Sequence, residues 1–178
     1  AAAKPDAQDW KSTGLSVAEF AEGGDVFAKT PWDAFTAETL GQAALVPTML
    51  NIKEQSFYVW LCRDWANGAG AIVDLGSFAG GSAACLAEGV AQAKRAQVVV
   101  GYDKFGLQDY SGFKERCAKY WAVPPASLSR FDPPEMPQSV PNDLMPLAEL
   151  FLSPWGDGVQ HHKGQLEEAM RENGPIEV

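Results

Sequence analysis

Residues 71–82, AIVDLGSFAGGS, gather a carboxylate (Asp74), three glycines (Gly76, Gly80, Gly81) and two hydroxyls (Ser77, Ser82) into one short stretch. A second acid, Asp103, closes the apolar run QVVVGY at 97–102. Such residues suit hydrogen bonding to a small polar ligand. Backbone N–H groups near Gly76 and at a helix start around Ser82 can hold a carboxylate. Asp74 can accept from an ammonium group, directly or through water, and Asp103 can accept both hydroxyls of a ribose. The spacing is not the dinucleotide pattern, which needs a second glycine where Phe78 stands. Nor is it a phosphate loop, because no Lys-Ser/Thr pair follows the glycines. The pattern favours a ligand with an amino-acid end and a ribose.

The elements around these residues are set by local signals. AIVDL reads as a parallel strand buried on both faces. The helix after the loop is expected to place Ala83, Leu86, Val90 and Ala93 on one side, with small residues allowing close approach to the sheet. A strand at 97–102 completes a right-handed βαβ unit. Upstream, Asn51 and Glu54 form a capping box for a helix over 52–66, with Phe57, Leu61 and Trp65 as its buried face. Thr30-Pro31 starts a helix running to about Ala44, and Ser16 with Glu19 a shorter one before Gly23-Gly24. Residues 1–44 are thus expected as an N-terminal helical arm, and 45–178 as the ligand-binding domain.

Downstream, a helix is expected over 108–122. The stretch 123–142 holds half of the chain's 12 prolines, so it reads as an insertion, either a lid or substrate loop or an excursion with no role. Next come a helix over 144–152, capped from Asn142-Asp143, a turn and strand over 156–162, and a helix over 164–173. Gly174 ends that helix, and 175–178 reads as the start of a fourth strand. His161 and His162 are adjacent, so on a strand they face opposite sides and do not share a metal ion.

Composition narrows the classes. The 178 residues are 46% hydrophobic and 21% charged, with a net charge of −9. The acidic balance argues against nucleic acid as a partner, and no apolar run reaches membrane-spanning length. The three cysteines (Cys62, Cys85, Cys117) lack metal or redox spacing. They suit buried free thiols in a reducing compartment, and a cytoplasmic location is expected. The start AAAKPDAQDW has neither a signal-peptide core nor an initiator Met, which suits a fragment or a processed chain.

VDLGSFAGGSA followed by VVVGYDKF resembles motif I and its acidic second-strand partner in class I S-adenosylmethionine-dependent methyltransferases. The nearer likeness is to the branch that includes macrocin and catechol O-methyltransferase-like enzymes. The resemblance covers roughly 45–178. It implies an α/β fold: a Rossmann-like parallel sheet with flanking helices, in spatial order 3-2-1-4, incomplete at the C-terminus. It also implies an enzyme that uses S-adenosyl-L-methionine to O-methylate a small molecule or a sugar-bearing metabolite. By the same likeness Asp74, Gly76, Ser77, Gly80, Gly81 and Ser82 surround the methionine part of the cofactor. Asp103 holds the ribose, Phe105 walls the adenine, and Met49 covers the cofactor from upstream. Gln165 stands where the family often has an acid for the adenine amino group. The family's catalytic segment lies beyond the fourth strand, so no catalytic residue and no metal ligand is assigned, although a divalent metal is compatible with the likeness. A stub of a fourth strand leaves a sheet edge open, and marginal stability or self-association is expected. Two other readings stand beside this one: a nicotinamide-dinucleotide-binding oxidoreductase domain, and a non-catalytic Rossmann-like binding module.

Overall fold

The computed structural model describes residues 27–68, 70–106 and 143–173. Three parallel strands form one sheet in the order β1-β2-β3: β1 is Ile72–Leu75, β2 Val99–Asp103 and β3 Val159–Lys163. Ile72 pairs with Val99 and Val99 with Val159, so the carboxyl ends of all three strands lie on one edge. Helices flank the sheet, which makes this an α/β fold. The described part of the expected order, 3-2-1, is present. The candidate fourth strand, the helices over 16–23 and 108–122, and the proline-rich stretch 123–142 lie outside the described residues.

The chain reaches the sheet through short pieces rather than the single helix expected over 31–44. A 3-10 turn (Pro31–Ala34), one α-helical turn (α1, Ala37–Leu40) and a second 3-10 turn (Gly41–Leu45) replace it. Phe35 is extended, and Thr36 and Thr39 then form a new reciprocal cap. Gly41 (φ 55°) breaks the run again, and a Cβ there would meet the Glu88 carboxylate. From residue 37 this segment is not a separate arm, because Leu40 and Ala43 lie inside the main core.

Helix α2 (Ile52–Trp60) starts at the expected box: Asn51 Oδ1 accepts from the Lys53 and Glu54 amides, and Glu54 accepts from the Asn51 amide. It runs on as a π-helical turn, Leu61–Trp65. The buried face differs from the expected one. Val59, Trp60 and Cys62 are buried, whereas Phe57, Leu61 and Trp65 are only half-buried. The spacing of four tracks the aromatic residues, and these serve a different cluster: Phe57 and Trp65 pack with Phe27, and Phe57 also with Trp32.

Helix α3 (Gly81–Gln92) is buried nearly all round. One side rests on the sheet, and α2 with its π turn covers the other. Gly89 makes that approach possible, since a Cβ there would lie 2.4 Å from the Val59 carbonyl oxygen. Helix α4 (Met145–Leu152) closes the same core, with Leu144, Leu147 and Phe151 buried. Helix α5 (Leu166–Asn173) covers the opposite face of β2 and β3, presenting Ala169 inward and Glu167 and Glu168 outward.

The strand buried on both faces is β2, not β1. Ile72 and Val73 are half-buried and Leu75 is 54% exposed. Among the described residues β1 has one strand neighbour, and α5 packs on β2 and β3 instead. No described helix is long and apolar enough to cross a membrane.

Replacing a mid-helix glycine by alanine normally stabilises by about 0.8–1.0 kcal/mol. Gly89→Ala is expected to do the opposite and cost about 1–3 kcal/mol in urea unfolding, because backbone must move. Cys62 and Cys85 are buried free thiols, pushed up to about 11 and about 12 by burial. Both should resist Ellman's reagent in the folded chain at about pH 8, close to the ordinary thiol pKa, and react once the chain is unfolded.

Candidate functional site

The structure brings Asp74, the glycine loop, Asp103 and Gln165 to the carboxyl edge of the sheet. Asp74 is the third residue of β1 and is 8% exposed. Its Oδ2 accepts from Ser82 Oγ at 2.8 Å, and the Ala83 amide also donates to the carboxylate. Asp74 therefore caps the N-terminus of α3 from the neighbouring strand, where helix amides favour negative charge. Burial raises its pKa above the usual carboxylate range. The Ser77 and Ser82 hydroxyls oppose that shift, the Asp103 charge adds to it, and the Ala83 amide opposes it.

Asp103, the last residue of β2, holds the loop from the other side. The Phe78 amide donates to its Oδ2 at 2.9 Å and the Phe105 amide to its Oδ1 at 2.5 Å. Both phenylalanines are in the left-handed region, Phe78 at φ 50° and Phe105 at φ 49°. An ionised carboxylate offers about four lone-pair directions. The two amides occupy two, so two acceptor positions remain for hydroxyl donors without breaking the clamp.

The loop leaves room for a ligand at Gly76. Its φ is 89°, and a Cβ there would meet nothing within 4 Å. Its amide is not available to a carboxylate, however, because it donates to the Tyr102 carbonyl at 2.8 Å and extends the β1–β2 ladder. The glycines at the helix start serve packing: a Cβ on Gly80 would lie 2.6 Å from Leu152 Cδ1, and one on Gly81 2.7 Å from the Pro47 carbonyl. The second contact seats residues 47–48 against the loop. Met49, next in the chain, is 70% exposed beside it.

The expected wall at Phe105 is not formed. Phe105 is fully buried in the main core against His161, at a ring separation of 5.5 Å, so it presents no face to an adenine. Gln165 is exposed at the start of α5 beyond the end of β3, near Asp103, whose carbonyl accepts from the Gly164 amide. The two histidines point to opposite faces as expected, His161 toward Phe105 and His162 toward Tyr102. Among the described residues no group of three or more His, Cys, Asp or Glu is placed to hold a metal ion.

Gly106 and Asp143, which flank residues 107–142, also lie at this edge. They form an antiparallel bridge, the Leu144 amide donates to the Phe105 carbonyl, and Asp143 pairs with Lys163. Sequence reasoning did not assign the Phe78 and Phe105 clamp, His161, or Gly101. An interior-strand glycine signals close approach, so Gly101 was the available clue.

No protein family, characterised protein or solved structure matches this chain. The functional reading therefore rests on the residues themselves.

Because Asp74 has a raised folded pKa, its contribution favours the fold at acid pH and is lost as pH rises through that value. Asp74→Asn keeps acceptor capacity for Ser82 or Ala83 and removes the buried charge. The variant's melting temperature is expected to equal or exceed that of the parent at about pH 7. The gap should narrow as pH is lowered toward about 4. A large loss at neutral pH would contradict the assignment.

Proposed function

We propose that this chain forms the cofactor-binding part of an S-adenosylmethionine-dependent methyltransferase with a Rossmann-like sheet, acting on a hydroxyl of a small molecule or sugar-bearing metabolite. The observation that carries this reading is the pairing of a glycine loop after β1 with an acid at the tip of the adjacent parallel strand β2. The order 3-2-1 is compatible with a crevice at the carboxyl edge, where α/β sheets bind ligands.

The residues fit such a cofactor in part. Asp103 keeps two acceptor positions for the ribose hydroxyls, Gly76 offers an open approach over the loop, and Gln165 supplies an amide near the strand ends. Asp74 does not offer a bare carboxylate to an ammonium group, since Ser82 and Ala83 already engage it. It acts instead by fixing the loop and the start of α3. Met49 is exposed beside the site, where it suits covering a cofactor. Phe105 acts from the core by holding Asp103.

The bound cofactor would supply an electrophilic methyl group for in-line attack by the acceptor oxygen. The described residues bind and orient, and positioning of this kind is a large part of what such a reaction needs. The exposed Leu75 suits self-association, and the buried free thiols Cys62 and Cys85 suit a reducing compartment such as the cytoplasm.

Phe78 argues against a dinucleotide oxidoreductase. It occupies the second glycine position, and its amide is committed to Asp103 rather than to a pyrophosphate.

Calorimetric titration with S-adenosylhomocysteine tests the proposal. The folded chain is expected to bind it, and Asp103→Ala to weaken binding at least about tenfold, through loss of charged hydrogen bonds. A folded chain that ignores S-adenosylhomocysteine, or that binds NAD instead, overturns the proposal.

A further inference from the structure

Two buried polar side chains approach Gly101 from different elements. Gly101 lies inside β2, and a Cβ built there would sit 2.6 Å from Ser77 Oγ and 2.8 Å from His161 Nε2. The hydroxyl of the glycine loop and the imidazole of β3 thus share the notch left by the missing side chain. His161 Nε2 is buried and has no hydrogen-bond partner among the described residues. Ser77 is buried too, and its hydroxyl is directed at Asp74: it donates at 3.4 Å to the Asp74 carbonyl oxygen and helps hold the carboxylate. Its own oxygen lone pairs have no donor among the described residues.

We propose that His161 is a positioning residue of the glycine loop. With a small rotation of either side chain its Nε2–H donates to Ser77 Oγ across the Gly101 notch, or it reaches Ser77 through one buried water, and completes a chain His161–Ser77–Asp74 beneath the loop. Leaving a buried donor unpaired is costly, so the two groups at the notch are natural partners. The glycine is the condition for this contact. Any larger residue at 101 would separate the two groups, and glycine is otherwise unfavourable inside a strand.

The surroundings of His161 favour this use of the ring. It stacks edge-on to Phe105, which donates its amide to Asp103, so both acids of the loop connect to one structural unit. The charged and titratable groups near it are Asp103 at the tip of β2, His162 beside it on β3, and Glu149 of α4. Glu149 and His161 line the same cavity of about 220 Å³. Burial and the neighbouring His162 hold the imidazole below its usual pKa, against the pull of Asp103. At neutral pH the ring is then neutral with a single N–H, and the chain assigns that proton to Nε2.

The contact itself is independent of any ligand. Only its consequence, a Ser77 kept aimed at Asp74 for cofactor binding, rests on the methyltransferase reading. The test therefore fails or stands separately from S-adenosylhomocysteine binding. The chain has two histidines. Their ring Hε1 resonances can be followed by NMR in the full chain and assigned with His162→Gln. A hydrogen bond from Nε2–H to a hydroxyl is stronger when the ring is charged. Ser77→Ala should therefore lower the His161 pKa further, by about half a unit, and leave His162 unchanged. Ser77→Thr, which keeps the hydroxyl, should restore the parent value. If Ser77→Ala does not fold, Ser77→Cys keeps the volume with a weaker partner and should give a lowering in the same direction. In melting experiments the double variant of Ser77→Ala (or Ser77→Cys) with His161→Leu should be no less stable than His161→Leu alone. An unchanged His161 titration in the folded Ser77 variant, or additive losses in melting temperature, overturns the proposal.

Discussion

The site depends on the Asp103 carboxylate, which ties two backbone segments to the end of β2. Its two amide bonds support Phe78 and Phe105 in the left-handed region. That conformation costs a non-glycine residue about 1–2 kcal/mol. A hydrogen bond to an ionised acceptor contributes about 1.5–3 kcal/mol. The two magnitudes are comparable, so each amide bond to Asp103 offsets the strain of the residue that makes it. The result reaches beyond the two phenylalanines. Phe78 fixes the middle of the glycine loop, and Phe105 inserts its ring into the core, where it meets His161. The Phe105 carbonyl then receives the Leu144 amide as the chain returns to form α4.

Asp74 has a complementary part. It is buried at the base of the loop, and burial disfavours its charge, yet Ser77, Ser82 and Ala83 are arranged to support the ionised form. A purely structural loop would be simpler with a neutral group there. A carboxylate kept beneath a helix N-terminus and close to Asp103 is the kind of local inconsistency expected at a functional site. Asp103 leaves this edge of the sheet with free acceptor positions, suited to a ligand that brings hydroxyl donors.

The elements closest to the site were legible in the sequence because local signals and tertiary packing agree there. The Asn51–Glu54 box, the turn from β1 through the loop into α3, and the acid ending β2 are all set by short-range chemistry. The misreadings came where packing overrode pattern. Phe57 and Trp65 mark an aromatic cluster with Phe27 and Trp32 rather than the main core. Thr30-Pro31 starts a helical turn, but Phe35 and Gly41 divide the downstream stretch into pieces that fit around α3. The apolar run at β1 suggested burial on both faces, whereas the strand order gives that place to β2. The family likeness implies a ligand contact at Phe105, yet its φ is positive and its ring lies in the core. Gly101 carried information of another kind, since its meaning lies in the side chains that approach it from elsewhere in the chain.

Asp103 clamps the loop through two backbone amides, and amide hydrogen exchange at Phe78 and Phe105 tests this most directly. Both amides donate to the Asp103 carboxylate, so their protection is expected to fall when it is removed. Strong protection of both amides in the parent chain, lost at both in Asp103→Ala while α3 stays protected, is the predicted result. Rapid exchange at Phe78 and Phe105 in the folded parent chain would contradict it.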